Sequence, residues 1–117
     1  MSSLIQSPAW LALQQHQSLM AQLSMRDLFH QDSQRFDKFS LTFDDILLDY
    51  AKQRINRETV DLLLALAHKQ KLGDWISRLF AGEKINATEH RAALHVALRS
   101  DHSVLLDGVD VMPDVKR

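Results

Sequence analysis

Apolar and polar positions alternate with two different periods along this chain, and the period changes mark out its elements. Ser7-Pro8 opens the first helical stretch, with Ser as N-cap and Pro at the first helical position. The pattern runs to about Leu23, with Trp10, Leu13 and Met20 among its apolar residues. Ser24 and Asp27 cap a second, short helix that reaches Phe29 or His30. After the polar run QDSQR, Phe36 and Phe39 lead into SLTFDDILLDY, where the period shortens. Two apolar runs flank Asp44-Asp45 there and predict a hairpin or a pair of extended segments.

Helical spacing then returns. Asn56 caps RETVDLLLALAHKQK, in which Val60, Leu63, Leu64 and Ala67 supply the i, i+3, i+4, i+7 stripe. Its acids come early and its lysines late, as the helix dipole favours. Gly73 interrupts the pattern, and Asp74 starts DWISRLF, which ends at Gly82. Near the end of the chain, SVLLDGVDVM holds two strand-like runs around Asp107-Gly108, the strongest hairpin signal present. Pro113, with Asp110 before it as a cap, reads as the start of another helix of which only four further residues are given. In outline the chain is helical over 8–39, hairpin-like over 40–50, helical over 56–99 and hairpin over 103–112, with no internal repeat and no linker-like boundary.

Composition narrows the class. At 117 residues, 45% hydrophobic and 25% charged, the chain has the make-up of an ordinary globular domain. A formal charge of −1 provides no field to attract nucleic acid or an anionic membrane, and no basic recognition helix is present. With no cysteine, a disulfide scaffold and a thiolate zinc site are both excluded. The N-terminus lacks the basic region and long apolar core of a signal peptide, and the longest apolar run, Leu62 to Ala67, is too short to span a bilayer.

The most informative stretch is GEKINATEHRAALHVALR, residues 82–99. Gly82 suits the positive φ of a helix end. Asn86 with Glu89 makes a capping box, which predicts a helix from about Ala87 to Arg99. At about 100° per residue, Ala92, Ala93, Leu94, Val96, Ala97 and Leu98 would point in nearly every direction, as on a helix buried on most sides. Thr88, Arg91, His95 and Arg99 would share the one stripe left over. Breaking a buried ion pair costs roughly 3–5 kcal/mol, so a buried basic stripe needs carboxylates, carbonyls, water or an anionic ligand. Either Arg91 and Arg99 pair with acids of the fold, His95 being a hydrogen-bonded core histidine, or the stripe faces an anionic substrate site.

Other chemistry is thin. His90 and His95 are five apart, whereas two ligands on one helical face need i, i+4. Asp44, Asp45 and Asp49 lack the glycine and terminal Glu of an EF-hand loop. Gly82-Glu83-Lys84 lacks the glycine-rich run of a P-loop, and no G-x-S-x-G elbow occurs. Trp10, Trp75 and the Phe residues fall at core spacings and read as packing.

The 82–99 segment closely resembles the N-terminal region of the glucose-6-phosphate isomerase (phosphoglucose isomerase) family. Gly82 to Asn86, Thr88, Glu89, Arg91, Ala92 and Leu94 to Arg99 match that family's pattern, with Ala93 in place of its usual Val. LTFDDILLDYAKQRI resembles a second block, with Ala51 for Ser and Gln53 for Asn. DGVDVMPDV resembles a third, with Val109 for Lys and Asp114 for Glu. The three blocks stand in family order over most of residues 39–115; the first helix matches in character more than in motif.

The resemblance implies a cytosolic, homodimeric, cofactor-free isomerase that interconverts glucose 6-phosphate and fructose 6-phosphate in glycolysis and gluconeogenesis. It implies an α/β parent fold of two sugar-isomerase-type subdomains, of which this chain would be an incomplete, mostly α-helical N-terminal fragment with two short β-hairpins. In the family a His and a Lys assist ring opening and a Glu moves a proton between C2 and C1 through a cis-enediol. Ser and Thr residues bind the phosphate. All of these lie beyond the C-terminal end of the matching region, so no catalytic, cofactor-binding or metal-binding residue is assigned here and the chain alone is expected to be inactive. Arg91, His95 and Arg99 become candidates for positions beside or just behind the phosphosugar cleft. The alternative is a non-catalytic helical interaction module derived from the same family.

Overall fold

The computed structural model describes residues 4–117, and its elements follow from local capping chemistry more than from a large core. Ser7 accepts a hydrogen bond from the Trp10 amide at 3.3 Å and Pro8 takes the first turn, which starts helix α1 (Pro8–Met20). Ser24 and Asp27 cap α2 (Met25–Gln31) reciprocally, as their spacing predicts. A single turn, α3 (Arg35–Lys38), leads into strand β1 (Ser40–Phe43), which pairs antiparallel with β2 (Ile46–Asp49). Asp44 takes the left-handed conformation at their turn (φ 51°), so the predicted hairpin is present. Asn56 and Thr59 then cap α4 (Arg57–Lys69) reciprocally. The Thr59 amide donates to Asn56 Oδ1 at 2.9 Å, and the Asn56 amide donates to Thr59 Oγ1 at 3.0 Å.

Contacts gather into two compact units, the first ending at Lys69 and the second spanning Gln70–Arg117. In the first unit α1 packs on α4, and Met20, Leu28, Phe39 and Ala51 are buried. The inward side of α4 differs from the sequence stripe. Thr59 is buried and Leu62 and Leu66 are half-buried, whereas Leu63 and Leu64 are 47% and 53% exposed. Periodicity places apolar residues on a face; it does not say which part of a broad face meets the neighbour.

In the second unit α5 (Leu72–Phe80) begins two residues before the expected Asp74, so Gly73 lies inside it. The break falls instead at Lys71, which takes a left-handed φ of 54°. Gly82 has the predicted positive φ (71°), and a Cβ there would stand 2.5 Å from the Leu105 carbonyl oxygen, so glycine is required on both counts. Strands β3 (Leu105–Leu106) and β4 (Val109–Asp110) pair antiparallel across Asp107 (φ 50°) and Gly108 (φ 83°), the positive-φ pair of a type I′ hairpin. Asp110 accepts a hydrogen bond from the Met112 amide at 3.0 Å, and α6 (Met112–Val115) follows with Pro113 in its first turn. Ala97, Val104 and Met112 make the small core, with Leu94 and Val111 packed against it.

The helix expected over Ala87–Arg99 does not form. Asn86 Oδ1 does accept from the amides of Thr88 and Glu89, both at 3.2 Å, so the cap is made. His90 then turns left-handed (φ 54°), and Asn86 and Arg91 exchange backbone hydrogen bonds at 3.1 and 3.3 Å, which closes a loop in place of a first helical turn. Only Leu94–Arg99 is helical, as a 3₁₀ segment. A helix apolar all round needs cover on all sides, and in this unit it meets only the small core around Ala97. The aromatic residues also depart from expectation: Phe43, Phe80 and Trp75 are 75%, 65% and 45% exposed, and Phe39 is the one buried phenylalanine.

Candidate functional site

The three basic residues singled out by the sequence are not brought into one line. Arg91 sits in the closed loop, His95 and Arg99 in the 3₁₀ segment, and all three are exposed. A 3₁₀ helix turns about 120° per residue, so His95 and Arg99, four apart, point about 120° away from each other instead of stacking. Accordingly they border different hollows. His95 lines one with Leu94, Leu98 and Val115, and Arg99 lines another with Phe80 and Val104. Arg91 and Arg99 are exposed and have no carboxylate partner among the described residues, so the buried ion pairs considered for the stripe are not what holds it. His95 is likewise not a core histidine.

The buried polar chemistry lies elsewhere, in the first unit. Arg35 is 2% exposed and is the largest fully buried side chain described. Its Nε donates to the Ala51 carbonyl at 2.8 Å and its Nη2 to the Gln53 carbonyl at 2.7 Å. The guanidinium also lies over the rings of Phe39 and Phe29, at 4.7 and 5.5 Å from their centroids. Arg54 reaches the other way: its Nη2 donates to the carbonyls of Met20, Ala21 and Leu23 at 3.4, 3.0 and 2.7 Å. These carbonyls lie at and just past the C-terminal end of α1, where a positive charge is favoured. The turn after β2 is thus tied to two helices through arginine-to-carbonyl bonds.

A cavity of about 470 Å³ lies beside Arg35, lined by Leu28, Asp32, Lys38, Tyr50 and Arg57 among others. Its cations are already engaged. Lys38 binds Asp32 at 2.9 Å and holds that carboxyl below the usual range, and Arg57 pairs with Asp61 at 3.3 Å. On the far side of α4, His16 is 5% exposed and its Nε2 lies 2.7 Å from Thr59 Oγ1, the same hydroxyl that caps α4. The Glu58 carboxylate stands 3.5 Å from His16 Nδ1 without making a hydrogen bond. Among the described residues no three His, Asp or Glu side chains cluster as a metal site would require, and no helix is long and apolar enough to cross a membrane.

Sequence reasoning missed His16, Arg35 and Arg54. The signal for His16 was present, since it falls on the Leu13–His16–Met20 line that faces inward. Arg35 and Arg54 bond to backbone carbonyls 16 to 34 residues away, and no local pattern reports that.

What emerges is a helical scaffold segment with two hairpins, rich in arginine-to-backbone ties and carrying a capped, glycine-led loop, GEKIN, at residues 82–86. The phosphoglucose isomerase family model matches residues 49–117, from the end of β2 through the C-terminal turn. The chain belongs to that family. The match takes in Arg54, the 82–99 segment and the β3–β4 hairpin, and it begins after the LTFDDILL portion of the resemblance read from the sequence.

Proposed function

We propose that this chain serves as the N-terminal portion of an aldose–ketose isomerase acting on glucose 6-phosphate and fructose 6-phosphate, and that it contributes scaffold, not the proton-transfer machinery. The family match over residues 49–117 carries this reading. The exposed apolar surface supports it. On one face of the β1–β2 hairpin, Leu41, Phe43, Ile46 and Leu48 are each at least 56% exposed. On α5, Leu72, Ile76 and Phe80 are at least 50% exposed. Contiguous apolar faces of this kind mark surfaces built to be covered. In the working enzyme they would be covered within the α/β parent fold and its homodimer, in the cytoplasm, with no cofactor.

Arg91, His95 and Arg99, being exposed and free of carboxylate partners among the described residues, are available to an anionic sugar phosphate beside that cleft. In a full-length enzyme of the family, replacing the residue matching Arg91 by Ala is expected to lower turnover far more than melting temperature. Equal losses in both would sink the assignment. The scaffold reading is tested by a coupled isomerase assay on the 117-residue chain. No turnover above the buffer rate is expected, and measurable interconversion of the two sugar phosphates overturns it. The interaction-module alternative predicts instead a stable complex with a non-isomerase protein.

A further inference from the structure

The β1–β2 hairpin has two unlike faces. Residues paired across an antiparallel ladder point the same way. Leu41, Phe43, Ile46 and Leu48 therefore share one face, and Ser40, Thr42, Leu47 and Asp49 share the other. Such alternation marks the apolar face for burial, yet its four side chains are between 56% and 75% exposed. The hairpin is anchored at its base. There Phe39 is buried, its ring meets that of Tyr50 edge-on at 5.8 Å, and its carbonyl accepts from the Tyr50 amide at 2.9 Å. Beyond the base each strand packs chiefly on the other. A two-stranded hairpin standing that way is marginal in water and gains stability once its apolar face is covered.

Whatever covers the face has to match its charged ends. Asp44 and Asp45 at the tip are exposed, as is Lys52 just past the base, and none of the three has an ion-pair partner among the described residues. The acidic tip repels an anionic membrane, a nucleic acid or an acidic protein surface. It equally opposes two hairpins stacked tip to tip, which would gather four aspartates. A second copy turned end for end meets neither objection, because each tip then lies over the other copy's Lys52. Strands of this length put tip and base about 14 Å apart, so one two-fold axis through the middle of the face serves both ends.

We propose that the 117-residue chain forms a homodimer by stacking the Leu41–Phe43–Ile46–Leu48 faces of two β1–β2 hairpins, tip to base. The contact is self-complementary, as a two-fold interface must be: the Leu41–Leu48 pair of each copy rests on the Phe43–Ile46 pair of the other. With four side chains a copy, each more than half open, two facing copies cover on the order of 1,000 Å², the lower bound of a specific interface. The dimer is accordingly weak, with a dissociation constant in the micromolar range, and the tip-to-base charges set its orientation more than its strength. The inference rests on the hairpin alone and not on the isomerase reading.

The test is sedimentation velocity of the 117-residue chain from low micromolar to several hundred micromolar. A concentration-dependent shift from monomer to dimer is expected, ending there because a two-fold contact closes on itself. Phe43→Thr keeps the strand preference and replaces the most exposed of the four side chains, so the far-UV circular dichroism of the monomer stays unchanged. It weakens the dimer on the order of a hundredfold, since each dimer loses the ring twice. Lys52→Glu weakens it by roughly fivefold at low salt, and adding Asp45→Lys to the same chain restores it. A chain that stays monomeric throughout overturns the proposal, as does mass that rises past the dimer. Dimerisation unaltered in Phe43→Thr, the result expected of edge-to-edge strand pairing or of a contact through α5, overturns it too. So does a Lys52→Glu chain that Asp45→Lys fails to rescue.

Discussion

Residues 56–69 and 86–99 begin alike and end differently. Each opens on an asparagine whose side-chain oxygen accepts backbone amides three residues on, at 2.9 Å for Asn56 and 3.2 Å for Asn86. Each continues into a strongly apolar run. The first becomes a helix of 13 residues. The second closes on itself at Arg91 and becomes helical, in the tighter 3₁₀ form, only from Leu94. The difference is cover. Helix α4 has α1 beside it and a buried His16 bonded to its capping threonine, whereas the second run meets only Ala97, Val104 and Met112 with their two neighbours. Nucleating a helix is costly, and packing of an apolar face repays most of that cost. A well-made cap is therefore not sufficient for an α-helix.

The sharpest way to break the comparison is to remove the cover from α4. His16→Ala deletes a buried ring and its hydrogen bond to Thr59, and should destabilise the first unit by about 2–4 kcal/mol. Chemical denaturation followed by far-UV circular dichroism reads this directly. An unchanged midpoint would mean that α4 stands on its own propensity. Next in size are the two caps. Asn56→Ala should cost about 1 kcal/mol, the usual value of an N-cap, and reduce helical signal. Asn86→Ala should leave that signal unaltered, because no α-helix follows it.

His90 offers a smaller and opposite effect. A non-glycine residue in the left-handed region is strained by roughly 1 kcal/mol, so His90→Gly should stabilise the closed loop by up to that amount. Slower hydrogen exchange at the Arg91 amide, which donates to the Asn86 carbonyl, reports it. Slowed exchange across 87–93 as a whole would instead signal a helix recovered. The smallest effect concerns Asp110 beside the last hairpin. The Ser103 hydroxyl first, and the Met112 amide second, hold its carboxyl below the usual range. A depressed carboxyl stabilises the fold above its unfolded pKa, and that contribution disappears as pH falls through the folded value. Acid titration of the β3–β4 amide signals should thus show a step below the ordinary carboxylate range in the native chain, and none in Asp110→Asn.

Much of the secondary structure was legible in the residues. The caps at Ser7, Ser24 and Asn56, the Asp44 and Asp107-Gly108 turns and the positive φ of Gly82 were all readable, because each is settled by groups within a few positions. The resemblance to phosphoglucose isomerases was legible for the same reason, being carried by contiguous blocks, and the family match bears it out over residues 49–117. The basic stripe was not legible. Its alignment assumed 3.6 residues per turn, and that period is granted only where neighbours supply enough buried surface to hold it.

The sequence by itself therefore determined most of the caps, the hairpin turns and the family to which the chain belongs. Those are matters of local hydrogen bonding, backbone sterics and contiguous motif. Tertiary structure alone decided that Arg35 and Arg54 hold backbone carbonyls, that His16 meets Thr59 across 43 residues, and that Arg91, His95 and Arg99 diverge instead of aligning. Contacts between distant residues carry no local signature, and the helical state of an apolar run depends on partners that its own residues do not name.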